Sequence, residues 1–198
     1  HRFLHNRSSS LNHQAGCIPV HNSSIHRQEN VDLEDNLKTI LETLNAIANK
    51  YDKKIIVSTH PRTKDRLDRL INVQIDERIN FLKPFGFFDY IKLQVESLCV
   101  ISDSGTITEE TSLLGLKGVT IRQTHERPEG MDEGTVIMTG LMPDRVLEAI
   151  EFTIRDHENN GSNFGVVKDY AVENASSKIL KIVMSYVDYV NRTVWHKE

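Results

Sequence analysis

Cysteine is scarce in this chain, with only Cys17 and Cys99 among 198 residues. The two form no Cys-x-x-Cys pair, which excludes a cysteine metal knuckle, and their number implies neither a disulfide framework nor an oxidising compartment. Cys99 lies in the apolar run Leu98-Cys99-Val100-Ile101 and reads as a buried thiol. Long hydrophobic runs are also lacking. None approaches the roughly 20 residues that span a bilayer, and no signal peptide is visible. A basic excess is missing as well: 24 Lys and Arg face 28 Asp and Glu, for a formal net charge of −4. That balance offers no electrostatic reason to expect nucleic acid or an anionic membrane as partner. A soluble cytoplasmic protein is expected. The length suffices for one domain with its own core, with or without a tail. The chain opens on His1 instead of Met, as expected of a start inside a longer protein or a truncation.

Residues 1–25 are rich in His, Asn and Ser and show no helix or strand period. His1, His5, His13 and His21 lack a His-x-x-His pairing or flanking carboxylates, so an irregular or disordered lead-in is expected there, and no metal site. From Asp32 the pattern changes. Leu33, Leu37, Ile40, Leu41, Leu44 and Ile47 recur at three- and four-residue steps, which predicts an amphipathic helix with Asp32 as N-cap. Buried strands are predicted at residues 54–59, 79–82, 98–101, 119–121 and 135–138. Helices are predicted at 64–70, 91–96, 106–114, 143–155 and 171–190, with a long polar loop over 122–134. Short apolar strands alternating with helices argue for an α/β fold, a parallel sheet covered on both faces.

In such a sheet ligands sit beyond the carboxyl ends of the strands. Three strand-end loops carry polar groups and should converge: residues 60–63, 102–106 and 122–127. In the second, Ser104 and Gly105 open a helix directly after a strand. First-turn N–H groups and the helix dipole favour an anion there, and glycine lets a phosphate approach the backbone closely. The same residues also cap helices for stability alone. Glu110, on the face of Thr106, suits a pair of vicinal ribose hydroxyls or is simply a solvated helix charge; Glu109 should point elsewhere. Arg127, between Glu126 and Glu129, offers the two-pronged donor geometry that diphosphates fit, or belongs to a surface ion-pair cluster. His26, ahead of the first helix, is a further candidate for anion contact.

His26-Arg-x-Glu29-Asn30, Ser102-Asp-Ser-Gly-x-x-x-Glu-Glu110, Glu126-Arg127-Pro128-Glu129 and Tyr170-x-x-x-Asn174-Ala175-Ser176 resemble, in this order and spacing, the non-hydrolysing UDP-N-acetylglucosamine 2-epimerase family over residues 26–185. The wording at Thr59-His60-Pro61-Arg62-Thr63, Lys83-Pro84-Phe85-Gly86-Phe87 and Gly130-Met131-Asp132-Glu133-Gly134-Thr135 is similar to its capsule and O-antigen branch, which includes enzymes acting on 6-deoxy UDP sugars on the way to UDP-N-acetyl-L-fucosamine. The resemblance implies a Rossmann-like domain, the C-terminal half of a two-domain glycosyltransferase-B fold. On that reading, residues 1–25 are the lead-in, 26–190 the UDP-binding domain and 191–198 a tail.

The resemblance also implies roles. His26 contacts the UDP-sugar. Ser104, Gly105 and Thr106 bind diphosphate together with Arg127, and Glu110 holds ribose. Phe85 and Tyr90 lie on the uracil side. The implied reaction inverts C2 of the sugar, as in the interconversion of UDP-GlcNAc and UDP-ManNAc or of a 6-deoxy pair, by eliminating and re-adding UDP for surface polysaccharide synthesis. It needs no nicotinamide, no other cofactor and no metal. The proton-moving carboxylates belong to the other domain, so this half alone is expected to be inactive, and the full-length enzyme is expected to be a homodimer. A glycosyltransferase-B nucleotide domain or an inactive UDP-binding remnant are the rival expectations. The sequence departs from the family at residues 18–25, where a hydrophobic strand should lead into the His26 motif and Pro19 suits a central strand poorly.

Overall fold

The computed structural model describes residues 20–21, 30, 32–70, 73–124, 127–161 and 166–197. His26 lies outside them. Among the described residues six strands form one sheet: β1 Val20–His21, β2 Ile55–Ser58, β3 Ile79–Leu82, β4 Val100–Ser102, β5 Gly118–Thr120 and β6 Ile137–Met138. Every pairing is parallel and the order is β3-β2-β1-β4-β5-β6. The helices are α1 Glu34–Tyr51, α2 Pro61–Leu67, α3 Phe87–Val95, α4 Ile107–Leu114, α5 Pro128–Asp132, α6 Pro143–Asn160 and α7 Ala175–Thr193. The expected parallel, helix-flanked Rossmann-like sheet is the observed one.

Alternation along β4 shows how both faces are covered. Cys99 and Ile101 pack with α1 and α6, through residues such as Leu41, Ile47, Val146 and Ile150. Val100, between them, joins Ile107 of α4 and Val136 in a second cluster on the opposite face. Period-2 side chains on a strand require this division. Cys99 is fully buried, as expected, and burial pushes its thiol up to about 12. In α1, Leu37, Ile40, Leu41, Leu44, Ile47 and Ala48 are buried, the stripe its periodicity demanded.

Several local expectations are corrected. Asp32 does not cap α1: Leu33 holds that position without a side-chain bond, while Asp32 meets Arg62 at 2.5 Å and Arg66 at 3.5 Å. Two guanidiniums on α2 compete successfully for its carboxylate. β1 lies inside the segment read as irregular and occupies the middle of the sheet, Val20 opposite Ile55 and His21 opposite both Ile56 and Val100. Pro19 itself lies outside the described residues. The polar loop after β5 contains α5, whose Pro128 stands in the first turn, where a fixed φ and an absent N–H cost nothing. α3 begins at Phe87, earlier than the pattern suggested, and α6 runs on to Asn160, where Gly161 takes φ 68°.

α7 differs most from its sequence reading. The apolar face predicted for it exists, but no residue of the helix is buried. Ile179, Ile182, Met184 and Tyr186 are more than half exposed. A surface element with no buried contact contributes little to the core. A chain ending at Asn174 should therefore melt within about 2 °C of the full chain in a calorimetric scan; a fall several times larger would mean that α7 does pack on this domain.

Candidate functional site

The strand order reverses between β1 and β4, and the crevice at such a reversal is where doubly wound sheets bind ligands. The loop after β4, residues 103–106, stands at that place. Its conformation is held locally. The Ser104 N–H donates to Ser102 Oγ at 3.0 Å, and the Thr106 N–H donates to Ser104 Oγ at 3.3 Å. The Ser104 and Thr106 hydroxyls are 2.9 Å apart. The chain then enters α4, whose first-turn N–H groups have no acceptor within the helix.

Asp103 does not face a ligand. It is fully buried and accepts a hydrogen bond from Asn30 Nδ2 at 3.0 Å. This bond ties the end of the His26–Asn30 segment to the β4 loop. Two motifs far apart in the sequence are thus joined through their structural members.

Gly105 faces two guanidiniums. A Cβ placed on it would lie 3.6 Å from Arg122 Nη1 and 3.8 Å from Arg127 Nε. A small cleft lined by Ser104, Gly105, Thr108, Thr120, Arg122, Arg127 and Met131 opens here. The loops containing Arg122 and Arg127 therefore converge with the 102–106 loop, as expected. Arg122, 6% exposed, was not singled out from the sequence. The available signal was its position directly after the buried β5 run Val119-Thr120-Ile121. Its carbonyl accepts from the Gly140 N–H at 3.0 Å, which anchors its backbone beside the sheet.

Arg127 forms an ion pair with Glu109. Glu109 was expected to point elsewhere, but it reaches across the first turn of α4 and shares the Arg127 charge. Glu129, two residues after Arg127, turns the other way and accepts a hydrogen bond from the Tyr170 hydroxyl at 2.8 Å. Burial, with this bond second, pushes the Tyr170 hydroxyl up to about 12. Gly130 allows α5 to approach α4, since a Cβ there would overlap Thr108 Cγ2.

Glu110, one turn into α4, faces α3. Gln94 Nε2 donates to its Oε2 at 2.5 Å. Tyr90 is one turn before Gln94 on α3 and half-buried, and Phe85 is half-buried in the loop between β3 and α3. Phe87 and Phe88 beside it are largely exposed, their rings edge to face at 5.6 Å. The first of the three loops does other work: His60 caps α2, its Nδ1 accepting from the Arg62 N–H at 3.3 Å.

A glycine just ahead of a helix cap and close to two arginines, with a carboxylate one turn further on, suits an anion attached to a polyol. Comparison with known proteins agrees. The sequence profile described as UDP-N-acetylglucosamine 2-epimerase matches residues 9–184. The chain belongs to this epimerase family.

The solved UDP-N-acetylglucosamine 2-epimerase of Rickettsia bellii is 47% identical, with a TM-score of 0.77, over 91% of this chain and 47% of its own. The Methanocaldococcus jannaschii epimerase, solved in complex with UDP-GlcNAc and UDP, is 29% identical, with a TM-score of 0.73, over 85% of this chain and 46% of its own. In sequence, the epimerase of that organism is 33% identical over 145 residues, 72% of this chain and 40% of the relative. The chain thus spans less than half the length of the epimerases it matches. Among its described residues no helix is long and apolar enough to cross a membrane.

Proposed function

We propose that this chain is the UDP-binding half of a UDP-N-acetylglucosamine 2-epimerase, acting on UDP-GlcNAc or a 6-deoxy relative for surface polysaccharide synthesis. The observation that carries this reading is Gly105, just ahead of the α4 cap at the strand-order reversal, with Arg122 and Arg127 close to it. On this reading Ser104, Gly105 and Thr106 present hydroxyls and first-turn N–H groups to the diphosphate, and Arg127 exchanges Glu109 for a phosphate oxygen. Glu110 accepts from the ribose hydroxyls. Phe85 and Tyr90 border the base, and His26, outside the described residues, is the further sugar contact that the family resemblance implies.

The chemistry follows from what such a site stabilises. Inversion at C2 removes the C2 proton and expels UDP. The electron pair of the broken C2–H bond forms the C1–C2 double bond as the C1–O bond breaks, leaving its electrons on the diphosphate. Charge therefore grows on the phosphate oxygen, and donors fixed at that oxygen lower the barrier. Re-addition of UDP after protonation on the other face completes the inversion. No described residue of this domain is assigned the base that takes the C2 proton; that group belongs to the second domain. The uncovered apolar face of α7 supports a design in which further protein completes the molecule, as does the coverage of less than half of each relative.

Titration calorimetry with UDP should give saturable heat, and incubation of the same chain with UDP-GlcNAc in heavy water should leave C2 free of deuterium. The absence of UDP heat would overturn the nucleotide assignment. Deuterium at C2 would show that this half carries its own base. Transfer of the sugar to an acceptor would favour a glycosyltransferase.

A further inference from the structure

We propose that Gln94 is a positioning residue for the nucleotide site, orienting the Glu110 carboxylate toward the two hydroxyls of the ribose; this rests on the UDP reading above. Gln94 is 1% exposed, among the most buried large side chains in the molecule. Its backbone is fixed where α3 ends: the Gln94 carbonyl accepts from both the Ser97 hydroxyl, at 2.7 Å, and the Ser97 N–H, at 3.1 Å. Its side chain crosses from α3 to α4 and donates Nε2 to Glu110 Oε2 at 2.5 Å. Among the described residues this is the hydrogen bond that holds the Glu110 side chain.

Stability alone does not account for a glutamine here. No protein donor among the described residues reaches its buried Oε1, and a buried polar atom left unsatisfied is costly. An apolar side chain of the same length would fill the space without that cost. The amide does something an apolar group cannot. It fixes one carboxylate oxygen without neutralising the charge, so Glu110 stays an anionic acceptor with its second oxygen directed by the first. A Lys or Arg in this place would also orient the carboxylate, but would draw away the negative charge that strengthens bonds from hydroxyl donors. Holding an acceptor rigidly before the ligand arrives reduces the ordering cost of binding. The neutral buried donor on α3 thus holds the carboxylate on α4, one turn beyond the loop of Gly105.

The test compares UDP with 2′,3′-dideoxyuridine diphosphate, by calorimetric titration of the full chain. Glu110→Gln, Gln94→Met, Gln94→Leu and the double variant Gln94→Met/Glu110→Gln are measured beside wild type. Wild type should prefer UDP by roughly tenfold or more, the size of one charge-assisted hydrogen bond. Both Gln94 variants should lose most of that preference, while their affinity for the dideoxy ligand stays within about twofold of wild type. The double variant should discriminate no worse than Glu110→Gln, as residues acting through one another are not additive. Gln94→Leu removes the amide donor with an apolar side chain of similar volume and no added charge, so it preserves the test should the methionine variant fold poorly. Wild-type preference in both Gln94 variants overturns the proposal, and so does equal weakening of both ligands. If Glu110→Gln loses the preference and the Gln94 variants keep it, only the Gln94 assignment fails. If the wild-type chain takes up neither ligand, the UDP reading falls and takes this one with it.

Discussion

Arg127→Ala should weaken UDP binding by roughly 30- to 300-fold, the loss of a two-pronged charge-assisted contact, while the folded domain keeps its melting temperature. The reason for the split is the partner left behind. Glu109 is 37% exposed and Arg127 32%, so water can solvate the carboxylate once the guanidinium is gone, and an ion pair this exposed is worth little to the fold. Arg127→Lys should fall between, because a lysine keeps the charge and loses the planar fork.

Gly105→Ala is the companion variant. Its methyl would stand in ordinary contact with the two arginines, 3.6 Å from the nearer, so the domain tolerates it, yet it would occupy the approach to the first-turn N–H groups. Binding should fall by about tenfold or more with melting unchanged. Titration calorimetry and a thermal scan on the same samples check both claims. A binding loss that tracks a loss of fold, or unchanged affinity in all three variants, would remove the arginine and the glycine from the site.

The largest expected effect on stability is at Asn30. Asn30→Leu should destabilise the chain by about 2–3 kcal/mol, because it strips a donor from a carboxylate that cannot reach water. Asp103 is 0% exposed and Asn30 5%, so there is little solvent to substitute for the 3.0 Å bond. In a thermal scan this corresponds to a fall of about 4–12 °C. The loss should extend to function, since the same bond anchors the residue directly ahead of Ser104 and Gly105. Asn30→Leu with wild-type melting would mean that Asp103 is satisfied without it.

These contrasts show which parts of the site were open to reading in the sequence. Ser104, Gly105 and Arg127 were recognisable because their chemistry is local: a glycine after a strand and before a helix, an arginine beside a proline that starts a helix. Glu109 was misread because helix spacing reports the direction of a side chain and says nothing of a cation arriving from another loop. Gln94 carries no local mark, and Arg122 only its place directly after a buried strand run. A glutamine in an amphipathic helix reads as solvent-facing, and an arginine after a strand reads as the start of a polar loop. Only the meeting of Gln94 on α3 with Glu110 on α4, and the adjacency of β4 and β5, turn both inward.

By itself, then, the sequence determined the alternation of strands and helices, the parallel sheet, the loop at Gly105 and the family, because hydrophobic period and short motifs are properties of contiguous residues. The tertiary structure decided the strand order, the central place of β1, the ties Asn30–Asp103 and Tyr170–Glu129, and the buried Gln94 behind Glu110. It also decided that the apolar face of α7 lies open. Each of these depends on which distant segments meet, and the burial period along a chain reports that a face is covered without naming what covers it.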